Sequence, residues 1–346
     1  MTRSNHALPG GKLPLGKLPP ELLARLLSIA PLFDQRILLG PAVGVDCAVI
    51  DLGNTLLAFK SDPITFASDE IGWYGVQICA NDIVTTGAVP RWYLSTLLLP
   101  ENKTDETLVF SINRQIYDAC QKMGISVVGG HSEVTYGLDR PILMGTMIGE
   151  VSHQNLVRAN GSQPGDLILL TKGVPIEATA ILAREFPQRT QEILGSQGAR
   201  EASDFLYNPG ISVVREAQLA VKAGQVHAMH DPTEGGLIGA LWEMAEASGK
   251  TFIIQPENVI IPPLSARLCA AFGLDPLRTI ASGALLLTVP PTQTPSILAA
   301  LKAEGIPCQA IGFVEEGEPM VYAESKNGRK VLPRPLRDDI TRVFES

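Results

Sequence analysis

Val43-Gly44-Val45-Asp46-Cys47-Ala48-Val49-Ile50 alternates in steps of two. Val43, Val45, Cys47 and Val49 fall on one side, with Gly44, Asp46, Ala48 and Ile50 between them, the pattern of a strand. Gly53-Asn54 then supplies a turn, and Leu56 to Phe59 reads as the hairpin partner. Downstream, Ser68 or Asp69 can cap a helix that runs to about Thr86, with Gly87 as its stop and Pro90 just beyond. Trp92 to Leu99 reads as a strand, Thr104 to Met123 as a helix ended by Gly124, and Ile125 to Val128 as a short strand entering a Gly129-Gly130 turn. Ile142 to Ile148 is a further strand. The order β-β-α-β-α-β-β describes an α/β or α+β layer rather than a repeat protein.

Upstream, residues 1–20 carry Arg3, Lys12 and Lys17, no acid, and the doubled Gly-Lys-Leu-Pro at 11–14 and 16–19. This segment reads as an arm, either a frayed end or a lid whose lysines reach an anion. Glu21 to Ile29 reads as a helix. Downstream, the turn-rich Val157 to Asp166 marks a boundary near residue 155. The expected layout is an arm over 1–20, a first domain over 21–155 and a second over 156–346. Helix-like segments follow near 176–185, 211–223, 235–248 and 293–304, with strand-like runs near 167–170, 226–229, 284–290 and 308–314.

Composition bounds the class. The 346 residues include 28 Lys plus Arg against 36 Asp plus Glu, a net charge of −8, with 45% hydrophobic residues and 32 Gly. That balance excludes a disordered chain and disfavours a nucleic-acid binder. No apolar stretch reaches the ~20 residues of a membrane span, and Met1 to Gly11 has no secretory core, so no membrane is expected and the chain reads as cytoplasmic. Cys47, Cys79, Cys120, Cys269 and Cys308 are scattered, which argues against disulfides and a cysteine zinc site.

Five places can carry chemistry. Asp46 is an acid among small apolar residues; it either faces solvent on an edge strand or needs a cation. Asp62, in Lys60-Ser61-Asp62-Pro63, sits at a strand end and forms either an Asx turn or a ligand. Asn81-Asp82 interrupts the stripe of Ile71, Tyr74, Ile78 and Cys79. Gly129-Gly130-His131-Ser132-Glu133 offers backbone N–H groups to an anion, and His131 and Glu133 point the same way on an extended chain. Asp231-Pro232-Thr233-Glu234-Gly235-Gly236 opens a helix, with Thr233 as N-cap and an open N-terminus suited to phosphate. His227 and His230 read as structural. Carboxylates beside anion cradles suggest Mg²⁺ and ATP or another phosphorylated ligand.

These motifs in this order resemble the aminoimidazole ribonucleotide (AIR) synthase, or PurM-like, superfamily. They are Val45-Asp46-Cys47-Ala48-Val49-Ile50, Ser61-Asp62-Pro63, Asn81 to Pro90, Gly129 to Thr135, Pro164-Gly165-Asp166 and Asp231 to Gly236. The nearest likeness is to the hydrogenase-maturation HypE-like branch. The resemblance implies an α/β (α+β) chain of two domains, the N-terminal one forming a β-barrel with its mate in a homodimer. It implies ATP and Mg²⁺ as cofactors, with Asp46, Asp62 and Asp82 as metal ligands. Asp82, His131 and Glu133 would be catalytic. Lys12, Lys17, Lys60, Asn81, Gly129, Gly130, Asp231, Thr233, Gly235 and Gly236 would bind the nucleotide. The implied chemistry is phosphorylation of an amide or carbonyl oxygen on a small-molecule or carrier-bound substrate. HypE ends in a cysteine-bearing tail; here the last cysteine is Cys308, in a strand-like run. The alternatives are AIR synthase activity itself and a nucleotide-binding maturation partner without catalysis.

Overall fold

The computed structural model describes residue 13 and residues 18–42, 44–65 and 69–345. Lys12 and Lys17, Val43 and Ser68 lie outside the described residues. After α1 (Pro20–Leu27), the first half forms one layer of strands and helices. Its strands are β1 (Ile37–Leu39), β2 (Ala48–Asp51), β3 (Leu56–Ile64), β4 (Val89–Pro100), β5 (Ser126–Thr135) and β6 (Ile142–Val151). They pair in the order β1-β2-β3-β6-β4-β5, antiparallel except for β4 with β5. Helices α2 (Ile71–Thr85) and α3 (Glu106–Met123) close one face. Between them and the sheet lie Tyr93, Leu97, Ile116, Leu143 and Met147, all buried.

Helix α3 begins and ends as its sequence dictates. The Asp105 carboxylate accepts the Leu108 N–H at 2.8 Å, and Gly124 ends it in the left-handed region at φ 68°. Helix α2 is different. Every residue but Trp73 is buried, because the helix packs on the sheet, on α3 and on the second half of the chain. It therefore has no polar face, and Asp82 is carried into the interior. Of the expected caps, Ser68 lies outside the described residues and Asp69 is not the N-cap; Glu70, at φ 57°, holds that position without a side-chain cap bond.

Three strand expectations need correction. The strand after residue 43 begins only at Ala48, so Asp46 lies in the loop before it. Asp62 is inside β3 rather than in a turn. Pro63 is tolerated there because β2 pairs only with Leu56 to Phe59, which leaves that flank of the strand open. Gly129-Gly130 makes no turn either. Strand β5 runs straight through, with Gly130 opposite Ser95 of β4. A Cβ on Gly130 would stand 2.3 Å from the Ser95 carbonyl oxygen, so the glycine permits the strand pairing.

The second half carries its own sheet. Its strands are β7 (Leu167–Thr171), β8 (Ala228–His230), β9 (Thr251–Ile254), β10 (Leu286–Val289), β11 (Cys308–Glu315), β12 (Met320–Ser325) and β13 (Gly328–Val331). The order is β13-β12-β9-β11-β7-β10-β8. Helices α4 (Ile176–Glu185), α5 (Pro187–Asp204), α6 (Val214–Ala223), α7 (Gly236–Ser248), α8 (Pro263–Phe272), α9 (Thr294–Ala303) and α10 (Thr341–Phe344) surround it. Alternation places Ile168 and Leu170 in the core under α7, and Leu169 in the core under α6 and α9. Among the described residues no helix is long and apolar enough to cross a membrane.

The two halves are clasped through Asn81. Its Nδ2 donates to the Ile211 carbonyl at 2.8 Å, and its Oδ1 accepts the Val213 N–H at 2.9 Å. Lys172 holds the same segment from the other side, donating to the carbonyls of Gly210 and Ser212 and pairing with Glu216 at 2.8 Å. Asn81→Ala strips two buried backbone groups of their partners. It is expected to cost about 2–4 kcal/mol of stability, read from denaturant unfolding.

Candidate functional site

The clasp sets the residue next to it. Asp82, one position beyond Asn81 on α2, projects toward Lys60 on β3, with Nζ 3.3 Å from Asp82 Oδ2. Lys60 and Asp62 share one face of β3, two residues apart, and Lys60 Nζ lies 3.6 Å from Asp62 Oδ2. Asp46 arrives from the loop before β2. That loop sits against α7 because Gly44 takes φ 76° and comes so close that a Cβ would lie 3.1 Å from the Glu243 carbonyl oxygen.

From the second half, the end of β8 brings His230 and Asp231. His230 Nδ1 lies 4.0 Å from Asp46 Oδ2, 4.0 Å from Asp231 Oδ1 and 3.0 Å from the Asp231 carbonyl oxygen. Its Nε2 lies 2.7 Å from Glu243 Oε2 on α7. Four aspartates thus converge on one lysine and one imidazole in the seam between the halves.

The electrostatics follow from burial. Desolvation drives the Asp82 carboxyl well above its usual range; Lys60 pulls against this, while Asp231, Asp46 and Asp62 add to it. Burial, with Asp46 nearby, lifts Asp231 to about 7 against the pull of His230 and Lys60. Burial works against a charged His230, yet Asp46, Glu243 and Asp231 outweigh it and raise the imidazole to about 10. Lys60 is likewise held protonated by Asp82, Asp62 and Asp46 despite its burial.

Some of these acids lack partners. Asp231 is 1% exposed, and neither of its carboxylate oxygens accepts a hydrogen bond. Asp82 Oδ2 is also without one, since Lys60 is near in charge but out of hydrogen-bond alignment. Buried carboxylate oxygens left open are costly unless a cation completes them. Asp46, His230 and Asp231 each place a ligand atom within 4.8 Å of the others. The donor set fits a divalent ion, with oxygen ligands that suit Mg²⁺.

The other expected residues are placed elsewhere. The carboxamide of Asn81 is spent on the Ile211–Val213 backbone. His131 Nε2 and Glu133 Oε2 do point the same way and meet at 3.1 Å, but on the exposed edge strand, with no hydrogen bond or ion pair to the seam among the described residues. The open helix N-terminus at Gly235-Gly236 is overturned. Gly235, in the left-handed conformation, is the N-cap of α7 in place of Thr233. The Gly235 N–H donates to Asp338 Oδ2 at 2.6 Å, Gly236 N–H to the Thr233 carbonyl and Ile238 N–H to the Leu277 carbonyl. A protein carboxylate already fills the anion position that phosphate was expected to take.

His230, Glu243 and Asp338 were missed. His230 is legible only as the neighbour of Asp231, and nothing local marks Glu243 as its partner or Asp338 as the acceptor of the Gly235 N–H. His227 is indeed structural, held against the buried Asp166 at 2.9 Å.

Two α/β layers closed over a seam of acids, a lysine and a histidine define a two-domain protein with its polar centre between the domains. The chain belongs to the AIR synthase-related family. Residues 44–151 match that family's N-terminal domain and residues 163–322 its C-terminal domain. It is 28% identical over 309 residues to a putative hydrogenase expression/formation protein of Methanocaldococcus jannaschii, covering 86% of this chain and 88% of that one. To the selenide, water dikinase of Nitratidesulfovibrio vulgaris it is 29% identical over 343 residues, covering 87% and 92%. A crystal structure of the hydrogenase maturation protein HypE in complex with ATP superimposes with a TM-score of 0.70 at 22% identity, covering 92% of this chain and 91% of that one.

Proposed function

We propose that this protein is an ATP- and Mg²⁺-dependent enzyme that phosphorylates an amide or carbonyl oxygen of a small-molecule or carrier-bound substrate. The reading rests on one observation above all, the buried carboxylate oxygens of Asp82 and Asp231 that lack hydrogen bonds, brought from the two halves close enough for Asp231 to oppose the charge of Asp82. It is supported by relatives whose names include a dikinase and by the fold shared with a HypE that holds ATP. Asp46, Asp62, Asp82 and Asp231 are the side chains that would hold Mg²⁺. The ion supplies positive charge that a triphosphate needs when a phosphoryl group leaves it. Lys60, kept protonated among the aspartates, adds a second fixed positive charge beside the same oxygens. The burial of the seam strengthens both attractions by excluding water.

No thiol in the described chain suits a carrier role. The half-buried Cys308 lies in β11, with its thiol pushed up to about 12 by burial. Isothermal titration decides the nucleotide reading: ATP binding that strengthens when Mg²⁺ is added supports it, and Mg²⁺-independent or absent binding overturns it.

The homodimer belongs to the same reading. Strand β5 is the sheet edge, and Val127, Val128, Val134 and Tyr136 are exposed along it and just beyond it. An open apolar edge of this kind needs a partner. Val134→Lys is expected to turn a dimer into a monomer in light scattering, while an unchanged mass would remove β5 from the interface.

A further inference from the structure

Asp46 and Asp231 match the family's acids, but His230 adds a nitrogen that the oxygen-only reading does not use. Its ring is oriented from behind: Nε2 meets Glu243 Oε2 at 2.7 Å, which leaves Nδ1 turned to the seam. There Nδ1 stands 4.0 Å from Asp46 Oδ2, 4.0 Å from Asp231 Oδ1 and 3.0 Å from the Asp231 carbonyl oxygen. A carboxylate behind a histidine, with the opposite ring nitrogen near acids, is the arrangement that fixes metal-binding histidines; in the metal-free protein that Nδ1–H donates to the Asp231 carbonyl, a bond that a metal–Nδ1 bond would replace. Asp231 supplies independent evidence of a missing ligand, being 1% exposed with both carboxylate oxygens unpartnered.

We propose that His230 Nδ1 is a metal ligand, oriented by Glu243, and that with Asp46 and Asp231 it makes a mixed nitrogen–oxygen site that prefers a first-row transition ion such as Mn²⁺ over Mg²⁺. The proposal rests on the cation-site reading above and narrows it. Imidazole nitrogen is a poor match for the hard, strongly hydrated Mg²⁺ and a good one for transition ions. Coordination forms the metal–Nδ1 bond and releases the Nδ1 proton to solvent, while the Nε2 proton stays on the ring and is donated to Glu243. The positive charge that imidazolium gives the acids in the metal-free protein is then supplied by the ion.

The test uses the full chain with Mn²⁺ or Mg²⁺, each alone and with ATP. Pulsed electron paramagnetic resonance of bound Mn²⁺ is expected to show one directly coordinated nitrogen, lost in His230→Asn. Mn²⁺ affinity falls on the order of 10–100-fold in His230→Asn and in Glu243→Gln, while Mg²⁺ affinity changes much less. Glu243→Gln keeps the ring, so it decides the matter if His230→Asn does not fold. Bound Mn²⁺ without a coordinated nitrogen, or an unchanged Mn²⁺-to-Mg²⁺ preference in the variants, overturns the histidine ligand and leaves the aspartate site standing. If neither ion binds the wild-type protein, the cation-site reading falls and takes this one with it.

Discussion

Asp82→Asn is expected to weaken the Mg²⁺-dependent part of ATP binding by on the order of 10²–10³-fold and to raise the melting temperature of the metal-free protein. The two effects share one cause. Asp82 is buried, its Oδ2 has no hydrogen-bond partner, and Asp231, Asp46 and Asp62 all oppose its charge. Without a cation the site is strained by its own acids, and removing one relieves the repulsion. Lys60 is not orphaned by the change, because Asp62 remains 3.6 Å from its Nζ. The gain is expected at roughly 0.5–2 kcal/mol, a rise of a few degrees. Scanning calorimetry with and without Mg²⁺ and ATP reads both effects. Stability gained together with a lost ligand-induced shift is the expected result. Unchanged Mg²⁺-dependent binding in the variant would remove Asp82 from the site.

The second large effect is on pH. Asp231 ionises near 3.8 in the unfolded chain and near 7 in the folded one, where burial and Asp46 oppose its charge. A carboxyl raised in this way contributes full stability below the unfolded value and loses it as pH climbs through the folded one. Metal-free protein is therefore expected to weaken between about pH 4 and pH 7, with Asp231 accounting for on the order of a few kcal/mol. Glu177, lifted by burial to about 7, and Asp338, lifted by burial to about 6, act with the same sign. Asp231→Asn should therefore flatten the decline without abolishing it. Melting temperatures in chelator from pH 4.5 to 8 test this; equal slopes in wild type and variant would show that Asp231 carries no such charge.

Much of the first half was legible because its signals are local. The stop at Gly124 depends only on neighbouring backbone, and the burial of Asp82 was foreshadowed by its place in an apolar stripe. The errors came where distant chain intervened. Strand β5 extends through Gly129-Gly130 because β4 lies alongside it and the missing Cβ of Gly130 lets Ser95 approach. The helix at Gly236 reads as an open anion site until Asp338, 103 residues beyond Gly235, fills it. Asn81 reads as a ligand beside Asp82, yet its amide matches a backbone segment 130 residues away.

The sequence by itself determined the alternation of strands and helices, the family, and the aspartates at 46, 62, 82 and 231, because periodicity and short motifs are written in adjacent residues. Only the tertiary structure decided which of the other polar groups join them. It brought His230 and Glu243 to the seam, kept Lys60 among the acids, and turned Asn81 and His131 to other places. The reason is physical: a side chain's charge state and partners are set by what folding packs against it, and at this site the packing comes from both halves of the chain.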